Sequence, residues 1–297
     1  MAVVIVRPAG EVAIKSARIR MLFIKKLINN IKAVINVEHW DLDQGYIIIR
    51  GEGDVSKLSK VFGISYYYPA EEVEYSSLQD LALKAKERFA EVVKGKKFAV
   101  RVRRVGKQPF TSLDVAKEVG SLLLPYSAGV DLENPEVTVH IDVIEDHAYF
   151  YSQEYKGPQG YPVGTTGKTI VLFSGGFDSP VATWMMMKRG VKPILLNVKL
   201  GGDIQKKLIL EEVKVLREWS GSEGLKVYFV DGIKVTASLV NVPKYLRVVM
   251  LKRVMYKIAD ALGRKVGAYS ITTGESLSQV SSQTMKNLYV TEYGIEK

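Results

Sequence analysis

The chain has 297 residues, no cysteine and a formal net charge of +10. The missing cysteines exclude disulfides, thiolate metal sites and a cysteine nucleophile within these residues. With 47% hydrophobic and 25% charged residues the composition is that of a soluble globular protein, long enough for two or three domains. No apolar run approaches the roughly eighteen residues that a membrane-spanning helix needs. The opening MAVVIVRPAGEVAIKS lacks the basic-then-apolar order of a signal peptide, so a cytoplasmic location is expected. His39, His140 and His147 show no ligand-like spacing, and no metal site is assigned to them. The basic balance favours an acidic partner, above all nucleic acid.

In chain order, Val3–Val6 reads as a strand and Lys15–Lys32 as a helix carrying six basic residues and no acidic one. Val34–His39 and Tyr46–Arg50 read as strands around a turn. A second helix is expected from Asp54, and Ile64–Tyr68 as a strand that Pro69 ends. Strand, helix, strand, strand, helix, strand is the ferredoxin-like order, and residues 1–72 are assigned to such a domain. A helix is expected over Ser77–Lys94, then a strand over Lys97–Val105. In that strand Phe98, Val100 and Val102 alternate with Arg101 and Arg103, so one face is buried and the other meets phosphates. The stretch Lys94–Lys107 holds seven basic residues and no acidic one. Lys96, Lys97, Arg101, Arg103, Arg104 and Lys107 are therefore the candidate RNA contacts. A helix capped by Thr111 or Ser112 follows to about Leu124. Strands over Val137–Val143 and His147–Ser152 complete a second domain, residues 73–160.

The third domain, residues 161–297, opens with an apolar strand over Thr169–Phe173. It runs into Ser174-Gly175-Gly176-Phe177-Asp178-Ser179-Pro180, and a helix follows to Lys188. Strand, glycine turn and helix start let a phosphate approach the backbone at the positive end of a helix. GTTGKT at Gly164–Thr169 imitates a Walker A loop, but Pro162 stands where its first glycine belongs and a strand follows, so it is rejected. Strands over Lys192–Val198, Leu225–Val230 and Ala268–Thr272 alternate with helices over Gln205–Trp219 and Lys244–Leu262. That alternation predicts a doubly wound parallel sheet. Ser174, Asn197 and Thr273 fall at strand ends, where such sheets bind ligands.

With these residues in view the chain resembles the ThiI-type tRNA 4-thiouridine synthase family. GEVAIKSARIRMLFIKKLINNI resembles its ferredoxin-like domain, FAVRVRRVGKQPFTSLDVAKEVG its RNA-binding THUMP domain, and SGGFDS with TGESLSQVSSQT its PP-loop domain. The resemblance implies a multidomain α/β and α+β protein that binds tRNA. It would use ATP and Mg2+ to adenylate O4 of the uridine at position eight, and a sulfur nucleophile would then displace AMP. It further implies that Ser174, Gly175, Gly176 and Ser179 hold the phosphates. Leu172, Phe173, Asn197, Val198, Gly274 and Gln283 match nucleotide-contact positions. On the same resemblance Asp178 would bind Mg2+ or orient the loop, and Lys252 would offset charge in the reaction.

Two departures shape the expectation. Some archaeal relatives carry C-x-x-C where this chain has Val248 and Leu251, and the PP-loop domain is expected to be shortened at its C-terminus. Sulfur is therefore expected from an external donor, sulfide or a persulfide-carrying protein, and pairing into a homodimer would cover the sheet edge left open. The alternatives are a tRNA- and nucleotide-binding protein without sulfur transfer, and a PP-loop enzyme of thiamine thiazole sulfur transfer.

Overall fold

The computed structural model describes residues 2–200 and 203–296. In chain order the first elements are β1 (Ala2–Pro8), α1 (Gly10–Ala13), α2 (Ala17–Lys32), β2 (His39–Asp43), β3 (Tyr46–Arg50) and β4 (Ile64–Glu74). Next come α3 (Leu78–Val93), β5 (Lys97–Val105), α4 (Ser112–Leu123), β6 (Gly129–Val130), β7 (Val137–Ile144), β8 (His147–Tyr151) and β9 (Tyr155–Lys156). The remainder holds β10 (Lys168–Leu172), α5 (Asp178–Lys188), β11 (Lys192–Lys199), α6 (Asp203–Arg217) and β12 (Lys226–Asp231). It closes with α7 (Gly232–Ala237), α8 (Arg247–Val266), β13 (Ser270–Thr272) and α9 (Met285–Glu292).

Two compact units result. The first comprises Met1–Ala13, Ile35–Ser59 and Ile64–Gly157, the second Ile14–Val34, Lys60–Gly63 and Pro158–Lys297. In the first unit β2-β3-β1-β4 is an antiparallel run in the ferredoxin-like order, and it continues through β8-β7-β5-β6 into one sheet. The expected division after residue 72 therefore cuts a continuous strand, since Glu71–Glu74 of β4 pair with β8. Leu81, Ala85, Phe89 and Val93 of α3 follow helical spacing and pack with Val115, Val119 and Leu123 of α4. Beneath them lie Phe98, Val139, Ile141, Val143 and Phe150. Thr111 caps α4 in a reciprocal box with Asp114, which satisfies two backbone donors at once.

Three local expectations are corrected here. The first strand of the early hairpin is His39–Asp43, not Val34–His39. Gln44 and Gly45, at φ 46° and 86°, form a tight turn of the type that matches strand twist. The helix expected from Asp54 is a 3-10 turn, Val55–Lys60, which Asp54 caps by accepting from the Ser56 N–H and hydroxyl. Pro69 does not end β4. On the side away from β1, pairing is with β9 at Tyr66–Tyr67 and with β8 from Glu71, so the missing N–H of Pro69 removes no ladder bond there.

In the second unit β12-β11-β10-β13 form a parallel sheet. Alternate residues feed two cores. Val171 and Leu195 join Phe62, Val163, Phe173, Met187 and Ile209 on one face, while Ile170, Ile194 and Leu196 join Ala259 and Ala268 on the other. A sheet covered on both faces explains its nearly continuous apolar strands. Helix α2 belongs to this unit although β1 and β2 flank it in sequence. Its buried Asn30 donates to the Val163 carbonyl at 3.2 Å and accepts from the Ser222 N–H and hydroxyl at 3.1 and 2.7 Å. Lys26 pairs with Glu223, which also holds Lys192 at 2.6 Å.

Candidate nucleotide crevice and basic strand

The Ser-Gly-Gly turn joins the end of β10 to α5. Gly175 has φ 77°, and a Cβ there would meet Ile209 Cγ1 at 2.9 Å, so both conformation and space require glycine. Buried Ser179 ties the turn together: its hydroxyl accepts from the Ser174 N–H at 3.2 Å, and its carbonyl accepts from the Thr183 hydroxyl at 2.7 Å. The Ser174 hydroxyl in turn accepts from the Gly176 N–H at 3.3 Å. This ties down a glycine turn at the start of an eleven-residue helix, whose first N–H groups have no intrahelical partner. The decoy GTTGKT is spent elsewhere: the N–H groups of Gly164, Thr165 and Thr166 all donate to the Gly190 carbonyl.

A cavity of ≈ 330 Å³ opens beside the turn. Leu172, Ser174, Asp178 and Ser179 line one side, Lys252 and Tyr256 of α8 another, and Thr273, Gly274, Glu275 and Gln283 the third. Gly274 presses on the turn: a Cβ there would lie 2.7–2.8 Å from Asp178 C, Asp178 Cβ and Ser179 N. The Gln283 side chain accepts from the Val280 N–H at 3.1 Å and holds the end of the same loop. Lys252 pairs with Glu275, and Tyr256 donates to the other carboxylate oxygen at 3.1 Å. Burial, with the Glu275 charge beside it, pushes the Tyr256 hydroxyl well above its ordinary pKa, so it stays a donor.

Phe173, Asn197 and Val198 lie at the strand ends, buried and outside the cavity lining. The Phe173 carbonyl accepts from Asn197 Nδ2 at 2.7 Å, and its N–H donates to Leu196. Asn197 Oδ1 is buried and, among the described residues, has no partner. It is an unspent acceptor suited to a donor such as an amino group. Val248 and Leu251 also line the cavity, which gives it an apolar wall. Sequence reading missed Tyr256 and gave Glu275 no role. The signal for Tyr256 was its i+4 spacing from Lys252, which puts both on one helix face.

On β5, in the first unit, the expected basic residues divide. Lys96, Lys97, Arg101 and Lys107 are exposed, and Lys97 stands 3.9 Å from Asp131. Arg103 does not remain a free phosphate contact. It makes a two-pronged bond to Glu154 at 2.5 and 3.1 Å and donates to Tyr151 at 3.2 Å. That pairing raises its pKa. Beneath it buried Asp142 accepts from Tyr68 and Tyr151, a polar network that Arg103 helps to neutralise. Arg104 donates to Gly106 O and Gln108 Oε1 at 3.0 and 2.9 Å. Arg103→Ala should thus lower stability by about 1–3 kcal/mol, since it leaves the mostly buried Glu154 carboxylate with only the longer 3.9 Å contact to Arg7. Arg101→Ala should leave the melting temperature within about 2 °C and reduce the salt dependence of RNA binding by about one charge. Thermal melts and RNA titrations over a salt series separate the two. An unchanged slope for Arg101→Ala would remove β5 from the RNA surface.

Fold and crevice define a class: a parallel α/β unit with a glycine turn leading into a helix at a strand's carboxyl end, accompanied by a sheet unit bearing a basic strand. The sequence model described as "Thiamine biosynthesis protein (ThiI)" matches residues 164–297, the THUMP domain model residues 75–153, and the ThiI ferredoxin-like domain model residues 3–67. A probable tRNA sulfurtransferase of Sulfurisphaera tokodaii is 62% identical over 99% of this chain and 80% of its own length. The probable tRNA sulfurtransferase of Saccharolobus solfataricus is 55% identical over the same shares. A 4-thiouridine synthetase, solved with RNA and bound ATP, superposes with a TM-score of 0.82 at 28% identity, covering 97% of this chain and 77% of that one. The chain belongs to the tRNA sulfurtransferase family. Among the described residues no helix is long and apolar enough to cross a membrane.

Proposed function

We propose that this protein is an ATP-dependent tRNA sulfurtransferase that activates the uridine at position eight for conversion to 4-thiouridine. The observation that carries the reading is the crevice itself: a glycine turn on a helix N-terminus, with Asp178, Lys252 and the Gly274 loop converging on one cavity. Family membership and the RNA- and ATP-bound neighbour support it. ATP is a substrate here. Ser174, Gly175, Gly176 and Ser179 cradle its phosphates, Leu172 lines the cavity that takes its base, and Phe173, Asn197 and Val198 stand buried at the strand ends, where Asn197 Oδ1 is an acceptor still to spend. Uridine O4 attacks the α-phosphorus and pyrophosphate leaves; sulfide then attacks C4 and AMP departs with the former O4, whereas a persulfide partner attacks through its outer sulfur and leaves a C4–S–S–R disulfide that a second thiol of that partner cleaves to free the 4-thiouridine.

Negative charge grows on the α-phosphate during attack, and fixed donors together with Lys252 stabilise it. Mg2+ fits this site through Asp178, an exposed carboxylate at the start of α5. Among the described residues no cluster of three or more acidic or histidine side chains exists to hold a metal alone, so the phosphates must supply much of its shell, as is usual for Mg2+. When bound, the ion would neutralise phosphate charge. None of these 297 residues is a cysteine that could carry the sulfur, and the donor in this reading is sulfide or a persulfide-carrying partner. We place the reaction in the cytoplasm. The THUMP match favours a tRNA over a purely small-molecule thiazole substrate. The test is pyrophosphate release from ATP with and without tRNA. Stimulation by tRNA supports the reading, and release indifferent to tRNA contradicts it.

A further inference from the structure

Lys252 and Glu275 form an ion pair inside the crevice, each side chain only 20% exposed. A carboxylate is an unexpected neighbour for a polyphosphate, because like charges repel in a partly desolvated site. Its surroundings explain its presence. Tyr256, one helical turn along α8, is 6% exposed and donates to Glu275 Oε2. On the other side Gly274 lies so close to the Asp178–Ser179 backbone that no Cβ fits between them. Glu275 is therefore gripped from α8 and from the phosphate turn together. A lysine side chain is long and flexible and samples many rotamers when nothing holds it. The Glu275 carboxylate cancels its own repulsion by pairing and confines that ammonium to one corner of the cavity.

We propose that Glu275, fixed by Tyr256, is a positioning residue that acts through Lys252, holding its ammonium where charge develops on the reacting phosphate. This rests on the reading of Lys252 given above. Confinement of this kind acts on the transition state rather than on uniform substrate binding, and misplacement of a catalytic group by about 1 Å costs on the order of 100-fold in rate.

The experiment is a double-mutant cycle on tRNA-dependent AMP formation with Lys252→Met, Glu275→Gln and both. Glu275→Gln should lower kcat ~10- to 100-fold while ATP binds no more weakly, because a repelling charge has gone. In the Lys252→Met background the same change should cost less than about threefold, since residues acting as a unit are not additive. A full additional loss in that background, or a weakened ATP Kd with kcat intact, would overturn the proposal. Undiminished AMP formation by Lys252→Met alone would instead bring down the underlying reading of Lys252. Tyr256→Phe provides a second route should Glu275→Gln not fold. It should lower kcat ~3- to 10-fold with tRNA binding retained, and an equal loss in the Lys252→Met background would count against the proposal.

Discussion

Asp178→Ala should abolish ATP-dependent AMP formation, with a loss of about 10³-fold or more, while tRNA affinity stays within about twofold of wild type. The expectation follows from where Asp178 stands. It is the first residue of α5, it lines the cavity with Ser174 and Ser179, and its side chain is exposed toward solvent. No salt bridge or cap depends on that carboxylate among the described residues. Its removal costs the helix about 0.3–1 kcal/mol of dipole interaction, far too little to unfold the unit. A large rate loss therefore reports on handling of the phosphates, and of the Mg2+ proposed beside them, rather than on folding. Quenched assays of AMP alongside RNA titrations decide it. Normal AMP formation by the variant would remove the nucleotide from this turn.

Gly274→Ala should produce the second large effect. Gly274 does not need a left-handed backbone, so alanine meets no conformational penalty there. The obstacle is space: its Cβ would lie 2.7–2.8 Å from atoms of Asp178 and Ser179, two of them backbone, which cannot swing aside as a side chain can. The loop carrying Thr273, Gly274 and Glu275 must back away from the phosphate turn, and Lys252 loses its partner's fixed position. AMP formation should fall by about 10²-fold, with ATP binding also weakened. The melting temperature should drop only a few degrees, because the loop rather than the core moves. Activity within about threefold of wild type would show that the close approach is dispensable.

The strand–glycine turn–helix layout was legible because everything it needs is local. A β-rich apolar run, two glycines, an acidic residue and a helix start stand within about twenty positions, and the structure adds little beyond the Ile209 contact at Gly175. The crevice around it was half legible. Strand ends placed Thr273 and Asn197 near the turn, because ligands of parallel sheets lie there. The Glu275–Lys252–Tyr256 arrangement was not, because it depends on the angle at which α8 meets the loop after β13. Arg103 shows the same limit. Alternation put it on the phosphate-facing side of β5, but Glu154, its partner, arrives from beyond β8. Pro69 misled for an opposite reason: local propensity says stop, yet the ladder around it has a gap that tolerates proline.

If uridine O4 is activated on phosphorus before sulfur enters, a label on that oxygen must leave with the phosphate. A tRNA carrying 18O at O4 of uridine eight, incubated with the protein, ATP, Mg2+ and sulfide, should yield one labelled AMP for each 4-thiouridine formed, because displacement leaves O4 on the phosphate. Thiolated tRNA accompanied by unlabelled AMP, with the 18O released to water, would contradict activation of O4 on phosphorus.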